Sequence, residues 1–284
     1  MFDTHCHLNF QAFEGKLETI IKDAEAVDVN QIVVPGTDLE TSKKAVEIAE
    51  KFKGVYAAVG IHPHHVFEIY SKSSVSKFFN SSGSPSRLRR QTSQVVKNLT
   101  PSLLSKKTVA VGEVGLDRHY YQKTKHEDYK VDEEFVELQK EFLKEQIKLA
   151  VKHGKSLILH NREAKHDMLK LLNEVWDKRL EGRAVFHCCE PDEELLEFAK
   201  AHKMFIGVDG DVVYWQEKQG FIKKVPLEML VFETDSPYLS PLRKFPNEPK
   251  NIKVIAEFIS ELKKVSLKEV EEKTTENARK LFNI

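Results

Sequence analysis

Short apolar runs recur along this chain, separated by stretches whose apolar residues follow a helical period. QIVVPG (31–36), VYAAVGIHP (55–63), TVAVGE (108–113), KSLILH (155–160), RAVFH (183–187), KMFIGV (203–208) and EMLVFETD (228–235) are β-branched and apolar almost throughout, and MFDTHCHL (1–8) supplies a shorter run at the start. Segments 16–27, about 39–52, 133–153, 164–178 and 192–202 carry apolar residues at helical spacing, and 215–225 is the least regular of these. A strand that faces water on one side alternates, whereas one buried on both faces reads as a continuous apolar run. Eight such runs alternating with helices predict a distorted TIM-type (β/α)8 barrel of parallel strands. Segments 251–263 and 266–281 read as closing C-terminal helices, with Ser266 as N-cap and Glu269 completing a capping box. The expectation is a single barrel domain over 1–284.

One segment interrupts the rhythm. From about 70 to 107 the chain carries SKSSVSKFFNSSGSPS and then RLRRQTS, in which Arg87, Arg89 and Arg90 precede Thr92 and Ser93. Small polar residues and low hydrophobicity predict a mobile, solvated excursion on the barrel, not an extra domain. A second reading gives the arginines a nucleic-acid backbone to touch, or a phosphorylation site to mark.

Charge and cysteine usage narrow the class. Lys plus Arg equals Asp plus Glu at 44 each in 284 residues, which argues against a broad basic face that coats nucleic acid and leaves room for a local phosphate pocket. Of three cysteines, Cys188 and Cys189 are adjacent and Cys6 stands alone, so a reducing compartment is expected and a disulfide framework is not. No apolar run is long enough to span a membrane, and Met1 leads directly into a charged strand without a signal peptide. A cytoplasmic protein is expected, with the nucleus open for a eukaryotic source.

The chemistry lies at the ends of the apolar runs. His5 and His7 stand two apart at the end of the first run, a spacing that turns both imidazoles to one side of a strand. The third run finishes in His62, the fourth in Glu113, the fifth in His160, the sixth in His187 and the eighth in Asp235. In a parallel barrel all of these emerge at the carboxyl-terminal rim. A single histidine at a strand end is commonly a hydrogen-bonded structural residue. Leaving His62 aside, four histidines and two carboxylates at one rim suit two closely spaced divalent ions, with a carboxylate such as Glu113 bridging them.

At the level of motifs, the chain resembles the TatD family of metal-dependent deoxyribonucleases in the amidohydrolase superfamily, from Asp3 to Phe282. The resemblance is carried by FDTHCHL (2–8), VGIHP (59–63), VGEVGLD (111–117), HNREA (160–164), HCC (187–189), ETDSPYL (233–239), NEP (247–249) and TTENARKLF (274–282). It implies His5, His7, Glu113, His160, His187 and Asp235 as ligands of a divalent metal pair, and His62 and Arg162 as residues facing the substrate phosphate. Two departures bear on substrate preference. Cys189, Glu190 and Pro191 follow Cys188 where the family commonly has an aromatic, a serine and a glycine after the histidine, and the serine-rich excursion is longer than usual.

Phosphodiester hydrolysis needs an activated water in line with the leaving oxygen and positive charge on the phosphoryl oxygens. Asp235 is the residue expected to hold and deprotonate that water, with Glu113 as the other catalytic carboxylate. From the residues alone, Arg162 is equally a planar fork for phosphate or a salt-bridge partner of Glu113 or Glu163, and the resemblance selects phosphate. The function expected is a divalent-metal-dependent deoxyribonuclease acting exonucleolytically on single-stranded or frayed DNA ends, as a monomer. Mg2+ is the expected working ion, and Zn2+ or Mn2+ also suit the site. The alternative is an amidohydrolase-type esterase, for example one that deacylates aminoacylated RNA. Glu113 where such enzymes often use a carboxylated lysine favours the nuclease. A metal-free scaffold is disfavoured because no ligand position has been replaced.

Overall fold

The computed structural model describes residues 1–72, 85–122, 124 and 129–284. Eight strands form one sheet in sequential order: β1 (Phe2–Asp3), β2 (Gln31–Pro35), β3 (Val55–Val59), β4 (Thr108–Asp117), β5 (Ser156–Arg162), β6 (Ala184–Phe186), β7 (Phe205–Val208) and β8 (Leu230–Phe232). Every neighbouring pair from β1–β2 to β7–β8 is parallel. The seam between β8 and β1 is drawn together by the Thr4 amide donating to Phe232 O at 2.9 Å and the Asp235 amide donating to His5 O at 2.9 Å. A single parallel bridge joins Cys6 to Ser236 there. The expected barrel is present and nearly closed.

Inside the sheet, Phe2, Val33, Ala58, Val109, Ala110, Ile158, Val185, Phe205 and Val231 form a buried layer of their own. Their strand neighbours, such as Ile32 and Val34 or Ala184 and Phe186, join the larger cluster packed between sheet and helices. Both faces are thus apolar, as the uninterrupted runs require. The helix Leu267–Phe282 closes the amino-terminal end of the barrel, with Ala278, Leu281 and Phe282 against the inner layer and the Phe282 ring 5.8 Å from that of Phe2. Ser266 caps this helix by accepting from the Glu269 amide at 3.2 Å.

Two expectations need correction. The fourth strand does not stop at Glu113 but continues to Asp117, and its pairing with β5 shifts register between Val111 and Val114, which places Glu113 within the irregularity. The excursion expected over 70–107 is partly helical. Segments Pro85–Lys97 and Thr100–Leu103 are helices, and Thr92, Val96, Leu99 and Leu103 are buried. Those four recur at helical spacing, and the burial of one stripe outweighs the polar character of the rest. Thr92 is therefore inaccessible as a modification site, and Arg89 pairs with Glu141 at 3.3 Å. Most of the serine cluster, 73–84, lies outside the described residues. Among the described residues no helix is long and apolar enough to cross a membrane.

Candidate metal centre and active site

The inner layer explains which side chains reach the site. Strand side chains alternate, so a residue two or four beyond an inward-facing one also faces the barrel axis. Ala58 leads to His62, Ile158 to His160 and Arg162, Val185 to His187, and Val231 to Glu233 and Asp235. Each of these lies past the last filled layer, at the carboxyl-terminal mouth. Glycines make room there. On β4, a Cβ at Gly115 would sit 1.8 Å from the His160 carbonyl oxygen, and on β7 one at Gly207 would sit 2.3 Å from Glu233 Oε1.

Glu113 lies at the centre, and its two oxygens face different partners. Oε2 is 3.4 Å from His5 Nε2 and 3.7 Å from His7 Nε2. Oε1 is 2.7 Å from His160 Nδ1 and 3.4 Å from both His62 Nε2 and His187 Nε2. Asp235 Oδ1 joins the first group, 3.4 Å from His7 Nε2 and 3.8 Å from His5 Nε2. His5 Nε2 and His7 Nε2 are themselves only 3.2 Å apart. Nitrogen and carboxylate donors converging from several sides in this way fit a divalent cation. Among the described residues, three groups meet the distance requirement for holding one: His5, His7 and Asp235; His5, His187 and Glu233; and His62, Glu113 and His160.

The electrostatics point the same way. Burial alone would raise the Glu113 carboxyl, but the imidazoles of His62, His187 and His5 hold it well below the usual carboxylate range. Burial likewise opposes charge on His160, yet Asp117 and Glu113 raise it to about 10. Against the same desolvation, Glu233 and Glu113 hold His187 at about 9. His5, where burial dominates and His187 adds to it, falls to about 4. The ionised Glu113 and the raised His160 and His187 mark a pocket that favours positive charge, and a cation entering it displaces the protons on those two imidazoles.

A backbone amide fixes the tautomer of a neutral His62. Its Nδ1 accepts from the His64 amide at 3.1 Å, so a neutral ring carries its proton on Nε2 and donates from there. Arg162 makes neither of the salt bridges open to it on sequence grounds. Its Nη1 donates to the Tyr121 hydroxyl at 3.0 Å, and its guanidinium lies over the Tyr121 ring at 5.2 Å from the centroid. Glu163 pairs instead with His119 at 2.6 Å.

The family described as TatD related DNase matches residues 2–283. The chain belongs to the TatD family. A metal-dependent hydrolase of Bacillus subtilis, YabD, is 32% identical over 288 residues, covering 100% of this chain and 99% of its own length. The human deoxyribonuclease TATDN3 is 28% identical, covering 99% of this chain and 94% of its own. Among solved structures, the TatD homologue YjjV of Escherichia coli superposes with a TM-score of 0.80 at 28% identity, over 100% of this chain and 98% of that one. As a TatD family member, the chain is a metal-dependent hydrolase.

Beyond the residues read from the sequence, this TatD barrel recruits several that were missed. Asp117 Oδ2 lies 3.2 Å from His160 Nε2 and accepts from the Tyr121 hydroxyl at 2.8 Å. Glu233 Oε2 lies 3.3 Å from His187 Nδ1. Both are carboxylates set behind a candidate ligand, an arrangement that fixes ring orientation and raises ligand basicity. Their signal was present, since Asp117 closes VGEVGLD and Glu233 has the same strand parity as Asp235. Lys218 had no such signal. It is fully buried between Asp209 and Asp211, 2.7 Å from Asp211 Oδ1, and Asp209 also accepts from the Cys188 thiol at 2.9 Å. The loop after β6 that departs from the family pattern is therefore anchored by Cys188. Its Glu190 accepts from Asn161 Nδ2 at 3.1 Å.

Proposed function

We propose that this TatD hydrolase cleaves phosphodiester bonds of DNA, removing nucleotides from strand ends with two divalent cations, Mg2+ being the working ion, and that it acts as a monomer. The observation that carries the reading is the division of Glu113, one oxygen toward His5 and His7 and the other toward His160 and His187. His5, His7, Glu113, His160, His187 and Asp235 would hold such a pair of cations. Bound there, such a pair supplies Lewis acidity to a phosphoryl oxygen and lowers the pKa of a water.

The chain's own groups do the remainder. Asp235 stands at the rim with its carboxylate partly open, in a left-handed backbone conformation (φ 49°) that Asp tolerates better than most residues. The hydrogen bond that its amide donates to His5 O holds that geometry, so the carboxylate can take the proton from the attacking water. Arg162 offers a planar fork to non-bridging phosphate oxygens, with Tyr121 setting its orientation. His62 donates from Nε2 to the same phosphate, since its Nδ1 is already an acceptor. The human TATDN3 is named a deoxyribonuclease, which supports DNA as the substrate.

The test is hydrolysis of end-labelled single- and double-stranded DNA by the purified chain, with Mg2+, Mn2+ or Zn2+ and with a chelator. Stepwise release of mononucleotides that the chelator abolishes is expected. Intact DNA with all three metals overturns the reading.

A further inference from the structure

We propose that the rim beside the metal centre carries a stacking platform for an unpaired nucleobase, formed by Phe10, Tyr238 and Phe245. The inference rests on the nuclease reading above and adds what the enzyme requires of its substrate, a base free of its partner strand next to the cleaved phosphate.

The platform starts at the site itself. The His7 imidazole is stacked on the Phe10 ring, with centroids 4.3 Å apart and planes inclined by 15°. Phe10 meets Tyr238 edge-on at 6.4 Å, and Tyr238 lies 6.3 Å from Phe245. An unbroken row of rings thus runs outward from a candidate ligand. Tyr238 is tied to the centre a second way, through its amide donating to Asp235 O at 2.8 Å. The outer rings are open, Tyr238 at 50% and Phe245 at 70% exposure. Between them and Phe10 lies a cleft of about 330 Å3 whose lining includes Lys44 and Glu40.

Large apolar side chains this exposed require a reason when they cluster. Tyr238, Leu242 and Phe245 share one loop beside the metal centre. Arg243 and Lys244 lie between them, exposed and without an ion pair to any described residue, and Arg243 sits over the Tyr214 ring at 4.5 Å. Aromatic faces interleaved with cations that no carboxylate pairs are the combination that holds single strands, because every base has a π-face and every nucleotide a phosphate. A base in a duplex has both faces covered, so the platform selects frayed or single-stranded ends.

The test compares kcat/KM of the full chain for a short oligothymidylate and for a strand of equal length whose terminal sugars carry no base. The wild type should favour the base-bearing strand, and the ratio should fall at least about fivefold in the Tyr238→Ala/Phe245→Ala variant. Tyr238→Phe/Phe245→Tyr, which keeps both rings, should restore it. Phe245→Ala alone, at the most exposed ring, gives a partial fall even if the double variant folds poorly. A ratio that is one in the wild type, or unchanged by the alanines, overturns the platform and leaves the nuclease standing. Failure of the wild type to cut either strand overturns the nuclease reading, and the platform falls with it. A wild-type dimer in light scattering that Phe245→Ala dissociates makes the face a contact between copies, and also overturns it.

Discussion

Asp3 and Thr234, distant in sequence, are joined by two hydrogen bonds across the seam of the barrel. The Thr234 amide donates to Asp3 Oδ1 at 3.0 Å and the Thr234 hydroxyl to Oδ2 at 2.6 Å. Asp3 Oδ1 also accepts from the His5 amide at 3.2 Å. One buried carboxylate therefore sets the start of the His5–His7 segment and the approach to Asp235 together. Asn247 supports the same strand end by donating to Thr234 O at 2.9 Å.

Asp3→Ala should consequently affect stability and metal site at once. It leaves buried donors on Thr234 and His5 without an acceptor, a loss of about 2–3 kcal/mol by the usual cost of unsatisfied groups. Thermal unfolding should show a lower Tm, and metal analysis a reduced content. An unchanged Tm would refute the role given to this residue.

On the proposed mechanism, Asp235→Asn keeps shape and one oxygen able to ligate but removes the base. Turnover should fall by about 10^2 to 10^4, the range for loss of a general base, with DNA binding little changed. Arg162→Ala should weaken substrate capture as well as turnover, since the proposed contact of Arg162 is with the phosphate. Steady-state kinetics on a labelled oligonucleotide, with the metal content of each variant measured beside it, separates the two. Near-normal turnover in a fully metallated Asp235→Asn protein would eliminate the mechanism.

Glu233→Gln probes the carboxylate behind His187. Losing that negative partner should lower metal affinity by about 10- to 100-fold while the fold persists. Titration of the apoprotein with a divalent ion in a calorimeter reads this directly, and wild-type affinity in the variant would show that His187 needs no such support.

The buried Lys218 group predicts a pH dependence. Burial and the neighbouring Asp209 carboxylate push Asp211 up to about 8. A carboxyl raised on folding holds its proton more tightly in the folded chain, so the stability it contributes is complete below its unfolded value and lost as pH rises. The window runs from about pH 4 to about pH 8. Tm should therefore decline across it more steeply in the wild type than in Asp211→Asn, and parallel profiles would count against this account.

The barrel was legible in the chain because its strands are buried on both faces. Continuous apolar runs such as 155–160 and 228–235 are what that burial demands, and their terminal His160 and Asp235 mark the mouth. The same continuity hid which residues face inward. Val33 and Val34 read alike, yet one lies in the barrel and the other under the helices, because only sheet closure assigns the two faces. The excursion was misjudged for a related reason: Val96, Leu99 and Leu103 form an apolar stripe whose value depends on a surface to cover, and composition does not reveal that surface.

For the site, residue type and strand position were enough to bring forward His5, His7, His62, Glu113, His160, His187 and Asp235, since each ends an apolar run, whereas Arg162 entered through the family resemblance. The division of Glu113 between two groups of imidazoles depends instead on the register shift in β4. The donor tautomer of His62 depends on one backbone amide, and the burial of Lys218 on two aspartates brought to it by the fold. The partners of Glu113 come from strands distant in sequence, whereas His62 and Lys218 meet residues near them in sequence, and in all three cases the backbone path and burial that make the contact are set by tertiary packing, which the local pattern of the chain does not encode.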